Sequence, residues 1–219
     1  MTAVLHTDAD PGLWCERFGG DTIPAGSKRP ALFLDRDGVL VEEVNYLHKA
    51  TEMRIIPGAP AAVRAANDAG LPVIVVTNQS GVGRGYYGWT EFAALQAALV
   101  LAFVKEGAQF DMVLACAYHA DARAPFDRPD HPWRKPQPGM IKAAADALAL
   151  DLSRSWIVGD AASDIEAGRN AGLVGAVHVA TGHGARDRDI ALSIATRSYL
   201  VRTAASLSEA APMIMSRSG

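Results

Sequence analysis

From Pro30 onward the chain repeats one pattern: a short apolar run of strand length, a few polar or glycine-rich residues, then an Ala- and Leu-rich stretch with helical spacing. The runs Ala31 to Leu34, Pro72 to Val76, Met112 to Ala115, Trp156 to Val158 and Ala176 to Val179 are almost wholly apolar, as strands covered on both faces are. Tyr199 to Val201 is a weaker sixth. The helical segments between them have readable ends. Segment 59–69 closes at Gly70, and segment 139–149 begins after Pro138. Segment 91–106 opens at Thr90, places Phe92, Leu95, Leu99 and Phe103 on one stripe and stops at Gly107, while segment 163–171 closes on Gly172. Parallel strands need crossover helices of this kind, so the alternation predicts an α/β fold with a doubly wound, mostly parallel sheet. Residues 1–30 show little periodicity and carry the turn signals Asp10-Pro11, Gly19-Gly20 and Pro24-Ala25-Gly26. They read as an N-terminal extension without a core of its own, ahead of one domain over 31–219.

Composition narrows the class of partner. A chain of 219 residues with 49% hydrophobic and 21% charged residues suits a single globular domain. Lys and Arg number 21 against 24 Asp and Glu, a net charge of -3 with no basic stripe, which argues against binding nucleic acid or an anionic membrane. Cys15 and Cys116 make no disulfide framework, and the first residues carry acids and a proline where a secretory signal needs basic and then apolar ones. No apolar stretch reaches membrane-spanning length. A cytoplasmic monomer is expected.

In a doubly wound sheet the ligand sits beyond the carboxyl ends of the strands. The residues found there are Asp35-Arg36-Asp37-Gly38, Thr77-Asn78-Gln79-Ser80, Arg134-Lys135 after the long loop that follows the third strand, and Gly159-Asp160 with Asp164. Taken alone, Asp-x-Asp-Gly is most often a solvated turn. A calcium loop starting at Asp35 fails on spacing, since it would need Gly at Leu40 and Glu at Tyr46. Four acids converging from separate strands would repel one another without a hard cation, and oxygen ligands beside a phosphate favour Mg²⁺. Thr77 and Lys135 add a hydroxyl donor and a point charge for a phosphoryl group. The set suits phosphoryl transfer to a carboxylate.

These motifs, in this order and spacing over about residues 31–184, resemble those of the haloacid dehalogenase superfamily of phosphatases. LDRDGVL, TNQSGVGRGYY and RKPQPGM resemble its branch of D-glycero-D-manno-heptose 1,7-bisphosphate and histidinol-phosphate phosphatases. The resemblance implies a Rossmann-like core and a Mg²⁺-dependent phosphomonoester hydrolase acting on a small phosphorylated metabolite. Its substrate would be a sugar phosphate such as heptose 1,7-bisphosphate, with histidinol phosphate as the alternative. By resemblance Asp35 is the nucleophile that becomes an aspartyl phosphate, and Asp37 is the acid that protonates the leaving oxygen and later activates water. The metal would be held by Asp35, the Asp37 carbonyl and Asp160, with Asp164 in support. Thr77 and Lys135 would hold the phosphoryl group, and Glu43, Val44, Asn45, Tyr46, Asn78, Gln79, Ser80 and Arg134 would contact substrate.

Several signals are weighed against this reading. Gly83-Arg84-Gly85-Tyr86-Tyr87-Gly88 meets the dinucleotide fingerprint formally, but TNQSGV separates it from the strand end, so it reads as a flexible loop over the phosphate pocket in which Arg84 could reach an anion. Many members of the branch carry zinc in the loop after the third strand. Here Tyr118, His131 and Trp133 stand where that pattern has His, Cys and Cys. Cys116, His119 and His131 could offer three ligands where structural zinc takes four, so packed aromatics, Tyr118, Phe126 and Trp133, are expected in place of zinc. Ala161 replaces a lysine usual in the branch, which removes one cation from the substrate side. The intervals between motifs leave no room for a separate cap domain. A non-catalytic phosphate-binding module and a nucleic-acid 3′-phosphatase are the remaining readings.

Overall fold

The computed structural model describes residues 3–4, 10–19 and 27–215. Two short N-terminal strands, β1 (Ala3–Val4) and β2 (Leu13–Arg17), precede the alternating part of the chain. There follow β3 (Leu32–Leu34), α1 (Ala59–Asp68), β4 (Val73–Asn78), α2 (Ser80–Arg84), α3 (Trp89–Lys105) and β5 (Met112–Cys116). The chain continues through α4 (Gly139–Leu148), β6 (Trp156–Gly159), α5 (Ala162–Ala171) and β7 (Gly175–Val179). It ends with α6 (Gly184–Ser193), β8 (Leu200–Ala204) and α7 (Leu207–Met215).

The strands form one sheet in the order β1-β2-β5-β4-β3-β6-β7-β8. From β5 to β8 every neighbour is parallel, whereas β1 and β2 run antiparallel on the β5 edge. This is the doubly wound α/β fold. Successive residues of a strand face opposite sides, so Leu32 and Leu34 join the core under α1, α3 and α7, and Phe33 joins the core under α4, α5 and α6. The Phe92, Leu95, Leu99 and Phe103 stripe of α3 is buried as its spacing predicts.

Five of the named elements, β1 among them, were not legible in the hydrophobic pattern. β2 lies inside the segment expected to lack a core, yet Trp14 is 4% exposed and packs 5.3 Å from Phe92 and 5.8 Å from Trp89, ring centre to ring centre. β2 lies between β1 and β5, and its buried run is only Leu13 to Cys15, with Trp14 facing one core and Leu13 and Cys15 the other, too short a stretch to show a periodicity. The signals at Gly20 and at Pro24 to Gly26 lie outside the described residues. α2 takes in Gly83 and Arg84, the start of the flexible loop expected over 83–88, and its glycines fit where side chains would not: a Cβ on Gly83 would collide with the Ala117 carbonyl. α6 is mostly polar and α7 carries an internal Pro212, which hid both.

Strand order reverses at β3, with β4 on one side of it and β6 on the other. Asp35, Thr77 and Asp160 emerge at this switch point. Among the described residues no helix is long and apolar enough to cross a membrane.

Candidate active site

Asp35 leaves the end of β3 with its backbone amide bonded to Val158 O at 3.0 Å. The chain then folds back tightly: Gly38 N donates to Val41 O at 2.8 Å, and Gly38 adopts φ +79°, which a side chain resists. The space is closed as well, since a Cβ on Gly38 would strike the Asp160 carboxylate. From β4 come Thr77 and Asn78. The Asn78 amide exchanges two hydrogen bonds with the Lys135 backbone, donating to Lys135 O at 3.1 Å and accepting from Lys135 N at 3.0 Å. This pair docks the end of the long loop against β4 and delivers Lys135 to the strand ends.

The Lys135 ammonium is buried and uses all three of its donors: Asp35 Oδ1 at 2.7 Å, Asp164 Oδ1 at 2.6 Å and Val76 O at 2.8 Å. Burial by itself would depress this amine, but the carboxylates of Asp164 and Asp35 outweigh it and hold Lys135 above the ordinary lysine range. Asp164 sits in the first turn of α5, and its other oxygen accepts from Ala161 N at 3.1 Å. Asp160 is fixed from three sides. Its Oδ2 accepts from His183 N at 2.6 Å, its backbone carbonyl accepts from His178 Nε2 at 2.9 Å, and a Cβ on Gly182 would collide with it.

Asp35, Asp160 and Asp164 offer oxygens within 4.8 Å of one another. Burial, with Asp164 and Asp35 as like charges nearby, raises the Asp160 carboxyl; burial also raises Asp35, where Lys135 opposes it. Three buried carboxylates against one ammonium form a donor set made only of oxygen, which fits a hard divalent cation such as Mg²⁺.

These residues line a cavity of about 270 Å³ together with Asp37, Glu43, Val44, Asn45, Tyr46, Asn78, Gln79 and Ser80. The candidates from the β3, β4 and β6 strand ends and from the 43–46 loop are thus brought together. Arg134 is not among the lining residues: it donates through Nη1 to Tyr118 O at 2.8 Å. Arg84 pairs with Asp121 at 3.0 Å. Glu43 is raised to about 7 by burial and by the nearby Asp37 and Asp35 carboxylates. In the loop after β5, Tyr118 stacks on His131 with ring centres 4.0 Å apart and meets Phe126 at 5.9 Å, while Trp133 packs against the same core. Cys116 is fully buried, and the desolvated thiol is pushed up to about 12. His119 contacts Arg84, and His131 lies 3.3 Å from Asp10.

Sequence reasoning missed Arg36, Tyr87, His178, Gly182 and His183. The last three belong to the end of β7, and reading that strand end like the other four would have led to Thr181-Gly182-His183. Arg36 was passed over between two aspartates, although a charged residue at the end of a buried strand is itself a signal. Nothing in the local pattern marks Tyr87.

Comparison with known proteins agrees with this geometry. Two family profiles match: one described as HAD-hydrolase-like over residues 132–210, and one described as haloacid dehalogenase-like hydrolase over residues 32–87. The chain is 49% identical over 172 residues to the D-glycero-beta-D-manno-heptose-1,7-bisphosphate 7-phosphatase of Mesorhizobium japonicum, covering 78% of each chain. A HAD-like phosphatase of Mesorhizobium loti has a similar structure, with a TM-score of 0.82, 41% identity and coverage of 94% of this chain and 93% of that one. The D,D-heptose 1,7-bisphosphate phosphatase of B. bronchiseptica, solved with magnesium and phosphate, superposes with a TM-score of 0.73 at 26% identity, covering 85% of this chain and 98% of its own.

Proposed function

The chain belongs to the haloacid dehalogenase-like hydrolases and is a phosphatase of that family, and from this premise we propose a Mg²⁺-dependent phosphomonoester hydrolase that works through an aspartyl phosphate on Asp35. Its proposed substrate is a small sugar phosphate of the heptose 1,7-bisphosphate type. The observation that carries this reading is the setting of Asp35: a buried carboxylate 2.7 Å from the Lys135 ammonium, in one cavity with Thr77, Asp37 and Asp160. The activity of the Mesorhizobium japonicum relative supports the choice of substrate.

In this reaction an oxygen of Asp35 attacks the phosphorus, the bond to the ester oxygen breaks, and Asp37 gives its proton to the departing alkoxide. Asp37 then takes a proton from water as the water attacks the aspartyl phosphate, which frees inorganic phosphate and restores Asp35. Lys135 acts as a point charge beside the nucleophile, because its three donors already have protein partners. Thr77 donates its hydroxyl to the phosphoryl group. Asp35, the Asp37 carbonyl and Asp160 would hold Mg²⁺, which when bound shields the repulsion between carboxylate and phosphate.

The test is phosphate release from a panel containing heptose 1,7-bisphosphate, histidinol phosphate, a mononucleotide and 4-nitrophenyl phosphate. The highest kcat/KM is expected on the heptose ester. Equal turnover of all four overturns the proposed specificity, and a preference for histidinol phosphate transfers it to that ester. Asp35→Asn is expected to abolish turnover with the fold retained, and unchanged release would rule out Asp35 as nucleophile.

A further inference from the structure

Gln79 lines the cavity, yet it is only 2% exposed and its side-chain amide is wholly engaged by the protein. Its Oε1 accepts from the Tyr87 hydroxyl at 2.6 Å and from Arg36 Nη2 at 3.1 Å. Its Nε2 donates to Asp37 Oδ2 at 3.0 Å and to Thr77 Oγ1 at 2.8 Å. A guanidinium can only donate, so the amide oxygen must face Arg36 and the amide nitrogen must face Asp37 and Thr77. Arg36 is held in turn. It is 1% exposed, its Nη2 lies 2.9 Å from Asp37 Oδ2, and its guanidinium carbon is 5.4 Å from the centre of the Phe92 ring. The direction of every hydrogen bond in this group therefore follows from Arg36.

Two consequences meet in the cavity. The Thr77 oxygen accepts from Gln79, so its own O–H proton is left to be donated elsewhere, and Thr77 lines the cavity. The Asp37 carboxylate is held by Gln79 Nε2 together with Nε and Nη2 of Arg36, in the same cavity as Asp35.

We propose that Gln79, oriented by Arg36 and Tyr87, is the positioning residue that makes Thr77 a donor toward the phosphoryl group and holds Asp37 where the leaving oxygen departs. This rests on the roles given above to Asp37 and Thr77. It assigns Gln79 to the support of two reacting groups instead of to contact with the sugar.

The experiment compares two esters that share a phosphoryl group and differ in leaving group. A sugar alkoxide needs a proton as it departs, whereas 4-nitrophenolate leaves without one. The quantity to measure is kcat/KM, which reports transfer to Asp35 and not the later hydrolysis. In Gln79→Leu the ratio of kcat/KM for the sugar phosphate to that for 4-nitrophenyl phosphate is expected to fall about tenfold, a fraction of what a fully placed general acid contributes. Inorganic phosphate, titrated calorimetrically, is expected to bind several-fold more weakly because Thr77 is no longer directed. Gln79→Glu keeps the acceptor for Arg36 and Tyr87 and loses both donors. It is expected to shift the ratio in the same direction, and it carries the test if the leucine variant does not fold. A role confined to packing would lower both kcat/KM values by one factor, and an unchanged ratio in Gln79→Glu overturns the assignment. A wild-type protein that releases phosphate from neither ester overturns the catalytic reading of the site itself.

Discussion

The Lys135 ammonium lies 2.7 Å from Asp35 Oδ1, and both side chains are nearly closed to solvent. A carboxylate meant to attack a phosphate must stay ionised although burial opposes that charge, and this one cation is shared between Asp35 and Asp164. The arrangement ties the stability of the strand ends to the reactivity of the nucleophile.

Lys135→Met should therefore damage both. Removing one partner of a buried charge group typically costs about 3–5 kcal/mol, because the remaining carboxylates are left unpaired. Denaturant unfolding of the metal-free variant is expected to show a loss of that order, and phosphate release is expected to fall at least about a hundredfold, in line with the weight of electrostatic stabilisation in such sites.

Mg²⁺ should stabilise the fold as well as restore activity after chelation. A ligand bound only by the folded state, supplied at about a hundred times its Kd, contributes about 2.7 kcal/mol. The rise in Tm with Mg²⁺ is expected to vanish in Asp160→Asn. It is expected to shrink in Gly182→Ala, where the new methyl group collides with the Asp160 carboxylate at a backbone φ of +57°. A full Mg²⁺-dependent Tm shift in both variants would remove Asp160 from the metal site.

Glu43 gives the cavity a pH dependence. Its carboxyl is raised from 4.5 to about 7, first by burial and then by Asp37 and Asp35, so the folded chain binds this proton more tightly than the unfolded chain does. Its contribution to stability is complete below pH 4.5 and is lost as the pH rises to about 7. In metal-free protein the fall in unfolding free energy over this window should be shallower for Glu43→Gln than for wild type, measured as denaturant midpoints at successive pH values. Parallel curves would show that Glu43 does not titrate there.

The N-terminal strand β2 should be part of the folding unit. Trp14 packs against both Trp89 and Phe92, and truncating a buried tryptophan to alanine usually costs about 3–5 kcal/mol. Trp14→Ala is expected to lower the denaturant midpoint accordingly while leaving KM close to that of wild type, since Trp14 does not line the cavity. A change in KM without a change in stability would contradict this.

Much of the site was legible because its residues sit at fixed places relative to strong local patterns. Asp35 and Thr77 follow their apolar runs directly and Asp160 follows its run after Gly159, so locating the strands located the acids and the hydroxyl. Lys135 was legible only as part of Arg-Lys-Pro-x-Pro-Gly, since it follows a loop and not a strand. Arg134 shared that motif and points instead to the Tyr118 carbonyl, because adjacent residues need not face the same way. Gln79 was read as a substrate contact from the resemblance to the heptose branch, and nothing in the sequence disclosed that Arg36 and Tyr87 engage its amide oxygen.

The sequence by itself determined the alternation of strands and helices, hence the mostly parallel sheet and the acids at its strand ends, because periodicity and strand-end position are local properties of the chain. Only the tertiary structure decided that β2 joins the sheet, that Lys135 lies between Asp35 and Asp164, and that Gln79 links Thr77 with Asp37. Those relations join residues far apart along the chain. They depend on distances of a few ångströms and on which atom donates, and no periodicity carries that information.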